Sequence, residues 1–207
     1  MNLFLRLGLL GLVVAGCLAP TVVSFGQTDL PPYGPVFLQD EVATIGITMD
    51  PDSADAMLFG DIDYAATNPF PAILQYQSSV LDTLIDTIAV RLRGNTSLFA
   101  PKKSFKIDLN AFIPGQKFAD LEKLNINANQ NDPSILRAAL SWHTLRRMGL
   151  AGSRTSMVKF NLNGEFMGVY VNTEHMDEEF VEEYYDKDDG NFYKCLWPAT
   201  LDYISTT

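Results

Sequence analysis

The sequence predicts an α+β domain: a mainly antiparallel sheet with one central helix. Three observations carry that prediction. Several runs between residues 42 and 109 alternate apolar and polar residues as half-buried strands do. Two further alternating runs, SMVKFNL and EFMGVYVN, flank Asn163-Gly164, the pair favoured in a tight hairpin turn. Between these groups lies a single long helical stretch that ends at Gly149.

Taken in order, Val42, Ile45, Ile47 and Met49 predict a first strand. Asp50-Pro51 is an N-cap followed by proline at the first helical position, and opens a short helix to about Phe59. GDIDYAATNPFP reads as a loop. Strands are expected over 72–77 and 85–93. In the second, Ile88, Val90 and Leu92 share one face while Arg91 and Arg93 share the other. A strand from Lys103 to about Leu109 places Lys103, Phe105 and Ile107 on its apolar face. Leu124 to Ile126 makes a short strand. Asp132-Pro133 then opens a helix through SILRAALSWHTLRRM, with apolar residues on most faces, so it is expected to be largely buried. After the hairpin, Met176, Phe180 and Tyr184 recur at helical spacing within a short acidic helix.

The chain has 207 residues, 47% of them hydrophobic, enough for one packed domain. With 15 Lys+Arg against 25 Asp+Glu the net charge is −10, which repels nucleic acid. Residues 1–26 read as an export signal: Arg6, then the apolar run LGLLGLVVAG, too short for a comfortable membrane span. Val14-Ala15-Gly16-Cys17 resembles a lipobox that would lipidate Cys17, giving a membrane link through a lipid anchor alone. Ser24-Phe25-Gly26 resembles an ordinary signal-peptidase site. Both alternatives stay open, and both place the protein in the envelope, at the surface or outside the cell. Residues 27–40 are proline-rich and read as an extended linker, leaving 41–207 as the domain. With Cys195 the only other cysteine, no disulfide framework and no thiolate metal site is available. DKDDGN misses the calcium-loop spacing. His143 falls inside the long helix and reads as structural, and no nucleophile lies near His175 in sequence.

The stretch RLRGNTSLFAPKKSFKI gathers cations around one glycine turn. Backbone amides at Gly94 and Asn95 are placed where a phosphate can approach. A lysine on the apolar face, Lys103, is costly there unless it meets an anion, opens into a cleft or snorkels at the sheet edge. Lys102 and Lys106 fall on the other face and read as solvated charges.

RLRGNTS…PKKSFKI, LNINANQNDPSILR, GVYVNTEHMD and GNFYKC, in that order, resemble the spore coat protein H (CotH) family from about Gly34 to the C-terminus. That family resembles atypical secreted protein kinases. The resemblance implies a kinase-like N-lobe, ATP with Mg2+ or Mn2+, and phosphate transfer to Ser or Thr of a protein substrate that is secreted or on the surface. It maps Gly94, Asn95 and Thr96 onto the phosphate loop, Lys103 onto the phosphate lysine and Arg93 onto a second cation. The long helix takes the place of the regulatory helix, and the strand running into Glu174-His175-Met176 lies beside the adenine. That helix has no acidic residue to pair with Lys103, and Arg137 is assigned to phosphate or to structure. The catalytic and metal-binding aspartates are expected beyond Thr207 in a C-terminal lobe, so the chain reads as an N-terminal fragment. Apolar residues crowd the last segment, from Phe192 to Ile204, and imply a missing partner surface. The alternative reading is a non-catalytic surface adhesin or assembly protein with the same fold.

Overall fold

The computed structural model describes residues 30–187 and 189–193. The leader with Cys17, and the segment holding Cys195 and most of the apolar tail, lie outside the described residues. Twelve elements follow in order: β1 (Ala43–Thr48), α1 (Pro51–Phe59), α2 (Ile62–Thr67), β2 (Phe70–Gln77), β3 (Asp82–Arg93), a 3-10 turn (Thr96–Phe99), β4 (Ser104–Asp108), β5 (Lys123–Asn127), α3 (Arg137–Arg147), β6 (Thr155–Leu162), β7 (Glu165–Glu174) and α4 (Glu178–Tyr184).

The α+β class and the strand-rich order hold, but the sheet is not open. It closes into a barrel in the order β1-β2-β3-β4-β5-β7-β6. Closure comes from a parallel pairing of β1 with β6, in register from Ala43↔Val158 to Ile47↔Leu162. All other pairings are antiparallel. Among the described strands, closing the sheet leaves no edge exposed for intermolecular pairing. Alternation then sorts the residues: Ile45, Leu74, Val90, Ile107, Ile126 and Phe160 fill the interior and are fully buried. Phe105, Phe160 and Tyr170 form its aromatic centre, with ring centroids 4.8 Å apart for the first pair and 5.3 Å for the second.

Local signals explain most elements. The Asp50 carboxylate accepts from the Ser53 N–H at 2.9 Å and Pro51 begins α1. At the hairpin, Asn163 and Gly164 both take positive φ, 50° and 83°, the geometry that suits the twist of the flanking strands. Phe180 and Tyr184 are buried on one side of α4, their rings stacked 4.0 Å apart.

Three expectations need correction. The segment read as a loop after Phe59 contains α2, because the Asp61 carboxylate accepts from both Asp63 and Tyr64 N–H groups at 2.9 Å. The long helix starts at Arg137 rather than Pro133: Ile135 adopts φ 59°, and Asp132 caps the Arg137 N–H instead, at 2.8 Å. Nor is α3 central or buried. It lies against the outside of β6 and β7, none of its residues is buried, and Leu140 is 58% exposed. Leu140→Ser is therefore expected to change unfolding free energy by no more than about 0.5 kcal/mol. A loss several times larger in urea denaturation would place this leucine in the core.

The described part of the proline-rich segment has no helix or strand, yet it packs. Val36 and Phe37 are each 1% exposed, and the Tyr76 hydroxyl donates toward the Pro35 and Val36 carbonyls at 3.3 Å. Arg146 donates to the Pro31 carbonyl and Arg154 to that of Pro32, fastening the strap against α3 and β6.

Candidate functional site

Both sequence motifs richest in expected contacts meet at one end of the barrel. β3 turns its apolar face inward through Leu92, so Arg93 points out. Gly94 follows at φ 133°, where a β-carbon would lie 2.0 Å from the Ser97 hydroxyl oxygen, so the turn favours glycine on both counts. Gly94, Asn95 and Thr96 are exposed, and the 3-10 turn has no side-chain cap, which leaves its first N–H groups open.

Lys103 stands just before β4. Its ammonium donates to the Leu98 carbonyl at 2.6 Å and clamps the base of the turn. The strand begins one residue later than alternation predicts, so this lysine sits at the barrel rim rather than on the apolar face. Lys102 is not a solvated charge: it donates to the Val169 carbonyl at 2.5 Å, with its nitrogen 4.1 Å from the Tyr170 ring centre. Burial there lowers its pKa below the usual lysine range.

The outer face of the sheet beside this turn is polar. Arg91, Lys106, Asn125, Thr173 and Thr155 stand opposite one another across five strands. Like charges at Arg91 and Lys106 repel; Arg91 turns aside and donates to the Ala66 carbonyl in the last turn of α2 at 2.6 Å. Arg93 donates to the Asn127 side-chain oxygen, and Asn127 donates in turn to the Thr173 hydroxyl at 2.9 Å. Among the described residues no carboxylate pairs with Arg93. Burial, and then repulsion from Arg91, lower its pKa.

The loop after β5 adjoins the same turn, held by the Ala128 N–H donating to the Ser104 hydroxyl at 2.9 Å. Asn129, Asn131 and Ile135 all take positive φ in it, 51°, 60° and 59°. Asparagine tolerates that conformation, whereas a β-branched isoleucine is a true outlier. Arg137 begins α3 beyond the loop, its side chain 68% exposed and 3.7 Å from Asp132.

Glu174 is not brought to this cluster. It ends β7 opposite Leu124, three residues along β5 from Asn127. Its buried carboxylate accepts from the Arg154 N–H at 2.8 Å, Arg154 Nε at 2.9 Å and the Tyr184 hydroxyl at 2.8 Å. Burial opposes the charge on Arg154, but Glu174 outweighs it and the pKa rises. His175, the next residue, faces outward instead, its Nδ1 3.0 Å from the Asn125 amide. Sequence reasoning passed over Asn125, Asn127 and Thr173. The signal was present in LNINAN, whose asparagines alternate with Leu124 and Ile126 and so share the outward face.

Beyond Glu174, Glu122 and Glu179 share Lys117, at 3.8 and 3.3 Å. Burial, then hydrogen bonding to Glu122 and the charge of Asp177, push Glu179 up to about 7, while Glu122 is lowered. A raised acid favours the fold while protonated. Its contribution is complete below the ordinary value of 4.5 and is lost as pH rises through about 7. Glu122 acts oppositely, losing its contribution as pH falls below the ordinary range. Glu179→Gln should therefore remove a decline of about 1 kcal/mol between pH 5 and 8, after allowing for solvent screening. Denaturant titrations at both pH values check this; an unchanged decline in the variant would refute it.

A family model described as CotH kinase protein matches residues 90–205. The chain belongs to the CotH family. The match begins within β3 and takes in the glycine turn, the strained loop, α3 and the hairpin; β1, α1, α2 and β2 precede it. Inner spore coat protein H of Bacillus subtilis (strain 168) is 27% identical over 126 residues, 61% of this chain and 33% of that protein. The match thus spans about a third of its length. Among the described residues no helix is long and apolar enough to cross a membrane.

Proposed function

We propose that this CotH chain is the nucleotide-binding part of an exported protein kinase. In this reading ATP lies on the outer face of β3, β5 and β7, and the whole protein moves the γ-phosphate to a Ser or Thr hydroxyl of a secreted or surface protein. The observation that carries it is Arg93, a half-buried guanidinium beside an exposed glycine turn, held by a neutral amide and paired with no described carboxylate. A partly buried cation without a counter-ion is costly, and a phosphate oxygen removes that cost through a charge-assisted bond. Gly94, Asn95 and Thr96 then supply backbone donors, and Lys103 a second ammonium at the base of the turn. The strand end at Glu174 and His175 lies roughly 10 Å along the sheet from Asn127, a span comparable to a sugar and base beyond the phosphates. Glu174 would act there through its backbone, since its carboxylate belongs to Arg154. This is the sense in which the barrel is read as a kinase-like N-lobe.

The family description as a kinase supports the reading, and the relative's name as a coat protein supports a surface location, with Cys17 as the lipid attachment point if the lipobox is used. That name equally favours an assembly role without catalysis. ATP fits the donors present. Mg2+ or Mn2+ has no matching set: among the described residues no group of three or more His, Cys, Asp or Glu converges to hold an ion. No metal ligand is assigned and no step runs through one.

Calorimetry on the full chain decides between the readings. ATP should bind more tightly than ADP, adenosine should bind weakest, and ATP affinity should fall as salt rises. Equal binding of adenosine and ATP would remove the phosphate assignment. No binding of any nucleotide would favour the assembly protein.

A further inference from the structure

We infer that Asn127 and Thr173 are positioning residues that aim the Arg93 guanidinium along the outer face of the barrel. The inference rests on the reading that this face takes phosphate. Three strands contribute one side chain each: Arg93 from β3, Asn127 from β5 and Thr173 from β7. Arg93 donates to Asn127 Oδ1, and Asn127 Nδ2 donates to Thr173 Oγ1 at 2.9 Å. A single amide orientation satisfies both bonds, because the arginine offers only donors and the hydroxyl must accept. Thr173 is 8% exposed, so its oxygen is a fixed point rather than a mobile surface group. Its anchoring sets the amide, and the amide sets the arginine.

The chemistry at 127 argues for more than packing. A carboxylate there would hold the guanidinium more strongly than an amide does. It would also neutralise the charge that an anionic ligand needs. An amide fixes the direction of the guanidinium and leaves its charge available. A long side chain ordered in advance loses less freedom when the ligand arrives.

The test uses the full chain with four substitutions: Thr173→Val, Thr173→Ser, Asn127→Asp and Arg93→Ala. ATP affinity, the melting temperature and the rate at which phenylglyoxal modifies Arg93, read by peptide mass spectrometry, are measured for each. Thr173→Val should weaken ATP about fivefold, the loss of one neutral hydrogen bond, and should speed modification of Arg93. Thr173→Ser, which keeps the oxygen, should restore both. Asn127→Asp should melt no lower than the parent yet weaken ATP at least about tenfold, since the guanidinium is now neutralised. Unchanged ATP affinity in Asn127→Asp, or unchanged affinity and modification rate in Thr173→Val, overturns the inference. If the parent chain and Arg93→Ala both fail to bind ATP, the phosphate reading falls. The positioning is then judged by modification rates alone: faster in Thr173→Val and restored in Thr173→Ser supports it, and equal rates overturn it.

Discussion

Glu174→Ala is expected to lower the unfolding free energy by about 3–5 kcal/mol, as breaking one side of a buried ion pair does. Glu174 is 3% exposed and Arg154 is 7% exposed. The carboxylate accepts from the Arg154 main chain and side chain and from the Tyr184 hydroxyl. Alanine would leave that guanidinium with Glu183, a partner whose side chain is 39% exposed and so contributes less. It would also cost the Tyr184 hydroxyl on α4 one partner, leaving it to Gly152 and Arg146. The strap at Pro32 and the helix α4 both hang on Arg154, so α4 should lose protection against hydrogen exchange first. The urea midpoint, read at constant slope, measures the loss. A change below about 1 kcal/mol would mean that the pair is solvated in solution.

This residue shows where sequence reasoning reaches its limit. Position in the motif GVYVNTEHMD marks Glu174 as a strand end beside His175, and so it is. Nothing local announces that an arginine 20 residues earlier turns inward to meet it. Local chemistry was legible: the Asp50-Pro51 cap, the Asn163-Gly164 turn and the alternation of Ile88, Val90 and Leu92 all fold as their spacing dictates. Barrel closure was not, because the pairing of Ala43 with Val158 joins distant segments through patterns that an open sheet would show equally. The exposure of α3 is hidden from sequence for a related reason. Its leucines are apolar all round, and composition cannot say that only one side has a sheet to pack on. At the candidate site, alternation put Lys103 on the apolar face of β4, but the strand starts at Ser104, and that one residue moves the lysine from wall to rim. Range accounts for most of this: the hairpin pairing at Asn163-Gly164 could be read and the distant pairing of β1 with β6 could not, although the short-range Asp61 cap of α2 was missed as well.

Arg93→Ala should weaken ATP binding by about tenfold to over a hundredfold, the loss of one charged contact to phosphate. Its fold should survive, because Leu92 carries the burial on this strand and Asn127 keeps its bond to Thr173. Lys103→Ala should weaken ATP as well. Part of that effect would come from the turn, since the ammonium also holds the Leu98 carbonyl. The two contributions separate by melting temperature, which should fall for Lys103→Ala and stay near the parent for Arg93→Ala. Lys102→Ala supplies the contrast. Its nitrogen is committed to the Val169 carbonyl and the Tyr170 ring, so it should cost about 1 kcal/mol of stability and leave ATP affinity within about twofold. Calorimetric titration of the three variants against ATP ranks them. If Lys102→Ala weakens ATP as much as Arg93→Ala does, the phosphates lie in the cleft lined by Pro101, Lys102, Met167 and Tyr170, not on the outer face of β3.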